Sequence, residues 1–354
     1  MKLPNSSLLK KRLKNLLDHL GSLNVDGCIV QDSINLGYLT GLSLSAGSLI
    51  AIGGDFTLFV DGRYIQVAQE KSPVPVALSE EKNIQNFLAQ KPFAKCAFDA
   101  QTTSFAEYEK LQKRFQKYEL IPIDGLLKEL RLIKDAYEQD ALRRSAKLLW
   151  KGFQHIKKKI KTGITERELA LEFEIFCRKK GAEKLAFDPI IAFGKNSAMP
   201  HYRSQDRALK RGDIILIDIG VVVDNYRSDM TRTLFFGPPD PLLKKWQTIV
   251  KKAHDAALKI CRPGVKLGEL DAAARREMAK DDVERYYIHS LGHGVGLEIH
   301  EHPRIKFDGP DKNLLLKPGM VITIEPGLYL PAKGGIRYED TIIVTKTGYE
   351  NLYP

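Results

Sequence analysis

The sequence predicts a two-domain α+β fold whose second domain is built from two related halves. The length of 354 residues suggests two domains, since a domain usually has about 100–200 residues. Strand-like and helix-like stretches alternate over residues 27–120, and an internal repeat follows residue 130. We therefore predict domains at residues 1–130 and 131–354.

The first domain has the pattern of a small α/β unit. Ser48–Ile52 and Phe56–Val60 flank Gly53-Gly54-Asp55, which predicts a β-hairpin. The other predicted elements are two helices and a strand, at Arg63–Glu70, Ser104–Phe115 and Ala94–Phe98. A proline-spaced segment at residues 121–125 closes the domain. Asp135-x-x-Glu138 then predicts the start of a long helix that runs to about Ile160.

The second domain contains three matches that recur in the same order. Residues 161–164 (KTGI) resemble 262–265 (RPGV), at an offset of 262 − 161 = 101. Residues 212–218 (GDIILID) resemble 319–325 (GMVITIE), at an offset of 319 − 212 = 107, and residues 229–231 (DMT) resemble 339–341 (EDT), at 339 − 229 = 110. Each half is therefore predicted to form a helix followed by two strands. One acid ends the first strand, and another lies in the second strand.

Two acids of the first half are predicted to lie close together. Asp218 ends an apolar run, where an unpaired charge is unfavourable. Asp224-Asn225 predicts a hairpin turn, in which paired residue numbers sum to 224 + 225 = 449. Asp218 then faces Thr231 and has Asp229 as a diagonal neighbour, about 7–8 Å away at the backbone. By themselves, both could be rim acids that accept hydrogen bonds from backbone amides.

The repeat strengthens the interpretation as a metal site. Glu325 and Glu339 take the equivalent places in the second half, so two related hairpins would bring four carboxylates together. Four buried carboxylates repel one another unless a cation joins them. Oxygen-rich sites of this kind hold divalent ions, often as a pair about 3.5–4 Å apart. The sequence therefore predicts a divalent metal site.

A glycine-rich stretch adds candidate histidines. Residues 289–300 (HSLGHGVGLEIH) contain His289, His293 and His300. The glycines lack the spacing of a dinucleotide-binding loop, and they make a zinc-binding helix improbable. They predict instead irregular backbone close to a polar site. Three histidines near four acids favour a functional role over a structural one, and His201 is a fourth candidate.

These motifs resemble those of the pita-bread metallopeptidases. The resemblance covers about residues 135–354 and rests on IDIGVVVDNYRSDMTRT, HSLGHGVGLEIHE, PGMVITIEPGLY and GIRYEDTIIV. It implies a C-terminal pita-bread fold with an internal pseudo-twofold repeat. INLGYLTG and LFVDGRYIQVAQE, at residues 34–41 and 58–70, resemble the creatinase-type N-terminal domain of aminopeptidase P and prolidase. Creatinase itself shares the fold but not the metal ligands, and methionine aminopeptidases lack this N-terminal domain.

The resemblance implies a role for each candidate residue. The expected ligands of two divalent metal ions are Asp218, Asp229, His293, Glu325 and Glu339. Manganese is the expected metal, although cobalt, iron or zinc also suit these ligands. Glu325 would also act as the acid/base, and His201 and His300 would hydrogen-bond the scissile carbonyl region. Arg337 is expected near the ligands, and His289 is a possible pocket residue.

The implied function is a proline-specific exopeptidase that cuts the bond between an N-terminal residue and proline. The main expectation is an Xaa-Pro aminopeptidase of the aminopeptidase P type, and the alternative is a prolidase that accepts only dipeptides. A remote alternative is a non-catalytic basic binding protein with the same fold. The expected partner is a peptide with proline at its second position, and a homodimer is expected from the family.

Composition narrows the cellular setting. The net charge is 55 − 44 = +11, but the lysines are spread over predicted surface helices without interleaved aromatic residues. We therefore expect no nucleic-acid partner. The four scattered cysteines are typical of buried thiols in a reducing compartment. No long apolar run occurs, so we expect no membrane partner and a cytoplasmic protein.

Overall fold

The computed structural model describes residues 4–354 and divides into two compact units, one ending at Arg131 and the other spanning Leu132–Pro354. The helices are α1 Ser6–Ser22, α2 Ser33–Thr40, α3 Ile65–Lys71, α4 Glu81–Ala89, α5 Phe105–Arg114, α6 Lys128–Leu132, α7 Ala136–Lys157, α8 Glu166–Lys179, α9 Pro241–Ile260 and α10 Leu267–Ala279, with short 3₁₀ helices at Gly194–Ala198 and Glu284–Tyr286. Within residues 4–354, no helix combines the length and apolar character needed to cross a membrane.

The strands are divided between the two units. In the first unit they are β1 Gly27–Val30, β2 Ser48–Ile52, β3 Asp55–Val60, β4 Val76–Leu78, β5 Lys95–Asp99 and β6 Glu119–Ile123. In the second they are β7 Lys184–Leu185, β8 Ile190–Phe193, β9 Ile214–Ile219, β10 Val221–Val223, β11 Tyr226–Arg227, β12 Met230–Phe235, β13 Gly292–Gly294, β14 Glu301–Ile305, β15 Val321–Ile324, β16 Gly327–Leu330, β17 Gly334–Arg337, β18 Asp340–Val344 and β19 Tyr349–Asn351.

The N-terminal unit is a six-stranded mixed sheet in the order β4-β3-β2-β1-β5-β6. The hairpin β2–β3 pairs Ile52 with Asp55 around Gly53-Gly54, as predicted. Strands β1, β5 and β6 run parallel, with connections through helices. A hydrophobic cluster that includes Ile50, Phe59 and Phe98 covers the sheet and forms the core of this unit.

The C-terminal unit shows the predicted pseudo-twofold repeat in its backbone. An isolated bridge joins Thr165 to Ala208 in the first half, and an equivalent bridge joins Lys266 to Leu315 in the second. The turns before α8 and α10 contain Gly163 and Gly264, with φ of 88° and 87°. This left-handed conformation favours glycine, so the same residue recurs in both halves.

Each half has its own hydrophobic core between a helix pair and a sheet. In the first half, α7 and α8 pack on the sheet β12-β9-β8 through residues such as Phe153, Phe173 and Ile217. In the second half, α9 and α10 cover the sheet β14-β13-β15-β18-β19 through residues such as Trp246 and Ile322. The strand ends of the two sheets carry the predicted site.

The pairing of the first acidic hairpin confirms the predicted register. Strand β9 pairs antiparallel with β12, and Asp218 lies opposite Thr231. The second hairpin differs, because β15 pairs Ile324 with Asp340. One further step of that register places Glu325 directly opposite Glu339. Strands β16 and β17 extend this hairpin between the two glutamates, as β10 and β11 do between Asp218 and Asp229. The second connection is longer by (339 − 325) − (229 − 218) = 3 residues, which accounts for the different pairing of its acids.

Candidate metal centre

The five predicted ligands lie at the ends of central strands in the two halves. Asp218 belongs to β9 and His293 to β13, whereas the other three lie immediately beside β12, β15 and β18. Ligand atoms of Asp229, His293 and Glu339 all lie within 4.8 Å of one another. His293 Nε2 is 3.3 Å from Glu325 Oε1 and 3.7 Å from Asp229 Oδ2. The fold therefore brings residues from both hairpins to one point.

The orientation of His293 suits a metal ligand. Its Nδ1 lies 3.0 Å from the carbonyl oxygen of Gly294, so Nδ1–H can donate there. When the imidazole is neutral, this bond leaves the lone pair on Nε2, the nitrogen that faces the carboxylates. A backbone carbonyl that fixes the imidazole in this way is common for histidine ligands.

The glycines around His293 permit close approach of neighbouring backbones. A Cβ on Gly292 would lie 2.0 Å from the carbonyl oxygen of Thr323, and one on Gly294 would lie 2.4 Å from that of His302. The pairing of β13 with β14 shifts register between His293 and Gly294. Irregular backbone beside the polar site is thus confirmed, and close strand contact is its physical reason.

Three of the carboxylates lie in an environment that disfavours their charge. Burial, and then the negative charges of neighbouring acids, raise the pKa values of Asp229 and Glu339 well above their usual ranges. Burial also raises the pKa of Asp218, despite the opposing charge of Arg337. The second carboxylate oxygen of Asp218, Oδ1, is buried without a hydrogen-bond partner. These groups need additional positive charge to be ionised together.

Glu325 is electrostatically different from these acids. Burial alone would raise the pKa of its carboxyl group, but the hydrogen bond and charge of His293, with the charges of His289 and Arg337, outweigh burial and lower the pKa to about 2. Glu325 is therefore ionised at neutral pH. The same contact raises the pKa of His293 against the effect of its burial.

The donor set fits divalent metal ions. Four carboxylates and one imidazole converge, and this mixture suits manganese, iron, cobalt or zinc. The orphaned Asp218 Oδ1 and the raised pKa values of the acids both indicate that positive charge belongs at this point. A cation would stabilise the ionised form of all these ligands.

Arg337 connects the two hairpins beneath the carboxylates. Its guanidinium is buried and donates from Nη2 to Asp218 Oδ2 and from Nε to Thr231 Oγ1, the latter at 3.0 Å. Thr231 in turn donates to Glu339 Oε2 at 2.6 Å. Arg337 therefore orients one acid of the first half directly and one of the second half through a threonine. Thr231 carried no functional signal in the sequence beyond its position opposite Asp218.

His289 is linked to the same arginine through a tyrosine. Arg337 Nη1 donates to Tyr329 Oη at 2.8 Å, and Tyr329 Oη lies 3.0 Å from His289 Nε2. His289 Nδ1 lies 2.8 Å from the carbonyl oxygen of Ser290 and donates to it, so Nε2 accepts from the tyrosine. His289 thus lies in a hydrogen-bonded chain rather than facing the ligands freely. A lone tyrosine in an apolar strand gave no signal for this chain.

The remaining two histidines lie at the exposed side of the cluster. The rings of His300 and His293 meet edge to face, with centroids 4.3 Å apart. Partial burial, and then the charges of His293 and His201, lower the pKa of His300. Tyr202, the residue after His201, belongs to the same buried cluster as Tyr329, which Arg337 contacts, so His201 extends from backbone beside the centre. Both His201 and His300 are exposed. An imidazole N–H at this side can donate a hydrogen bond to a bound molecule.

Comparison with known proteins gives consistent matches along the whole chain. Residues 140–346 match the model of metallopeptidase family M24, and residues 12–133 match the creatinase/prolidase N-terminal domain. An Xaa-Pro dipeptidase from Pyrococcus horikoshii is 35% identical over 98% of this chain and 97% of its own length.

Solved structures are similar over the same extent. An Xaa-Pro dipeptidase from Bacillus anthracis has a TM-score of 0.92 and 31% identity, with 97% of each chain covered. An X-Pro aminopeptidase from Thermotoga maritima has a TM-score of 0.87 and 30% identity, again with 97% of each chain covered. The expected α+β architecture, a creatinase-type domain followed by a pita-bread domain, is confirmed. The chain belongs to metallopeptidase family M24 and is a metal-dependent hydrolase.

Proposed function

We propose that this protein is an Xaa-Pro dipeptidase that hydrolyses the bond between an N-terminal residue and a C-terminal proline. The observation that carries the proposal is the convergence of Asp218, Asp229, His293, Glu325 and Glu339 in a family M24 chain. The preference for dipeptides is supported by relatives named Xaa-Pro dipeptidase that match nearly the full length. This support favours the alternative over the aminopeptidase P expectation.

The five converging residues would hold two divalent ions, with manganese as the proposed metal. When bound, divalent ions lower the pKa of water from about 15.7 toward 7, which supplies a nucleophile near neutral pH. Arg337 and Thr231 hold the carboxylates of Asp218 and Glu339 in place for this purpose. Their hydrogen bonds restrict the directions in which these carboxylates can turn.

Glu325 is proposed to move the proton. Its carboxylate would accept a proton from the attacking water and deliver it to the proline nitrogen as the C–N bond breaks. The hydroxyl part of the water is then bonded to the former carbonyl carbon, and the nitrogen leaves as a neutral amine. One side chain would thus serve first as the base for the water and then as the acid for the leaving nitrogen.

His201 and His300 are proposed to bind the substrate near its scissile carbonyl group. Both are exposed beside the cluster, and the lowered pKa of His300 keeps its imidazole neutral at neutral pH. A neutral imidazole N–H can donate to the scissile carbonyl oxygen, where negative charge develops in the tetrahedral intermediate. His289 is proposed to act indirectly, through Tyr329 and Arg337.

The test is hydrolysis by manganese-loaded protein of Ala-Pro and Ala-Pro-Ala, with Leu-Ala as the control without proline. We expect turnover of Ala-Pro and little or none of Ala-Pro-Ala. A preference for the tripeptide would make the protein an aminopeptidase P, and absence of both activities would refute the proposal. Glu325→Gln is the matched catalytic control, because it keeps the side-chain size and removes the proton acceptor.

A further inference from the structure

One buried carboxylate holds the segment that carries His201 against the start of α8. Glu166 is the first residue of α8, and its side chain has no exposed surface. The segment comprises residues 193–205, which begin at the last residue of β8 and include a short 3₁₀ helix. Glu166 has no part in the proposed chemistry, so its burial needs another explanation.

Glu166 accepts four hydrogen bonds from this one segment. Its Oε1 accepts from the backbone N–H of Phe193 at 2.7 Å and from Asn196 Nδ2 at 2.9 Å. Its Oε2 accepts from Tyr202 Oη at 2.7 Å and from the backbone N–H of Gln205 at 3.1 Å. These four donors match the roughly four acceptor sites of an ionised carboxylate.

The charge of Glu166 makes these bonds strong. Hydrogen bonds to a carboxylate are about twice as strong as those between neutral groups. The position at the start of α8 also favours negative charge, because the helix dipole is positive there. Burial, and then the bond to Glu166, raise the pKa of Tyr202, so its hydroxyl stays protonated and donates.

The opposite side of the segment rests on the strand that carries Arg337. Ser197 Oγ accepts from the backbone N–H of Gly335 at 2.9 Å. A Cβ on Gly335 would lie 2.3 Å from the carbonyl oxygen of Ser197, so the two backbones touch. The segment is therefore fixed between the start of α8 and β17.

We infer that Glu166 is a positioning residue that, through Tyr202 and the neighbouring amides, holds His201 at the substrate side of the metal centre. His201 immediately precedes Tyr202, so the bond from Tyr202 to Glu166 restrains the backbone from which His201 extends. The inference rests on the proposed function for what His201 does. The restraint of the His201 backbone by Glu166 does not depend on the proposed function.

The main test variant is Tyr202→Phe, which keeps the ring and removes the hydroxyl that donates to Glu166 and accepts from Asn196 Nδ2 at 2.7 Å. We expect kcat/KM for Ala-Pro to fall about 10–100-fold, as misplacement of about 1 Å does in other enzymes. Manganese affinity, measured by calorimetric titration, should change less than twofold, since the segment carries no proposed ligand. Glu168→Gln is the control on the same helix, because Glu168 is exposed and only completes the capping box with Thr165.

A double-mutant cycle separates positioning from general destabilisation. If Tyr202 acts through His201, adding Tyr202→Phe to His201→Asn lowers kcat/KM no further. Additive losses, or a fall in manganese affinity that parallels the fall in activity, would overturn the inference. Glu166→Gln should show the same pattern with a larger loss, provided that it folds, because its amide group would meet two donors.

Hydrogen exchange tests the restraint without any activity. In metal-free protein, Tyr202→Phe should speed amide exchange at least tenfold at Gln205 and its neighbours, while exchange in β9 stays unchanged. Unchanged exchange in residues 193–205 would overturn the inference. If the wild-type protein hydrolyses no Xaa-Pro peptide, the proposed function fails, and the exchange result still decides the role of Glu166.

Discussion

Replacing Asp229 by asparagine should stabilise the metal-free protein while removing its response to metal. Ligand atoms of Asp229 and Glu339 lie within 4.8 Å of each other, and both residues are buried. At an effective dielectric constant of about 20, two charges at that distance repel by about 3.5 kcal/mol. Proton uptake relieves part of this repulsion, so we expect a gain of about 1–3 kcal/mol in the free energy of unfolding.

The assay is thermal unfolding of metal-free protein at pH 7.5, followed by titration with Mn²⁺. A gain of 1–3 kcal/mol corresponds to a rise in Tm of about 2–10 °C for a unit of this size. Added Mn²⁺ should raise the Tm of the wild type and leave that of Asp229→Asn unchanged. Asp213→Asn is the control and should lower the Tm, because Asp213 accepts from Arg207 Nη2 at 2.9 Å.

The pH dependence provides an internal check. The raised pKa of Asp229 means that the folded protein binds a proton more tightly than the unfolded chain does. Stability of the metal-free wild type therefore falls as pH rises from the unfolded pKa, about 3.9, through the folded pKa. The advantage of Asp229→Asn should be full above that window and vanish below it. A variant that is less stable than the wild type at pH 7.5, or that keeps the Mn²⁺ response, would refute the reasoning.

Three further substitutions test other contacts. Arg337→Lys should lower kcat at least 100-fold, because one ammonium cannot bind Asp218, Thr231 and Tyr329 together. An unchanged kcat would contradict this role. Gly335→Ala should lower the free energy of unfolding, measured in urea, by about 1–3 kcal/mol. Gly348→Ala is the control and should lower it far less, because a Cβ there has no neighbour within 4 Å. Lys134→Met should lower the free energy of unfolding by about 3–5 kcal/mol, since Lys134 Nζ lies 2.6 Å from Glu301 Oε1 in a buried pair. Adding Glu301→Met should restore most of that free energy.

The sequence was most informative where local rules determine the geometry. The turn at Asp224-Asn225 sets the register of β9 and β12, so the position of Asp218 opposite Thr231 followed from a sum of residue numbers. Both turn residues have positive φ, at 51° and 67°, as such a tight hairpin requires. The repeat then located Glu325 and Glu339 in the second half.

The parts that the sequence did not reveal depend on contacts between distant segments. The bonds from Arg337 to Tyr329 and Thr231 join different strands, and no spacing rule links these residues. The hairpin of the second half is three residues longer between its two acids, so Glu325 lies opposite Glu339, which a constant offset would not give. Glu166 resembled any other acid in the first turn of a helix. Only the folded segment shows that its carboxylate is fully enclosed.

The division of the ligands between two similar hairpins has a consequence for local unfolding. Detachment of either hairpin removes ligands from the centre, so a bound cation would link the stability of the first half to that of the second. The first half supplies two aspartates, while the second supplies two glutamates and His293, so the centre is asymmetric although the backbone around it shows a repeat.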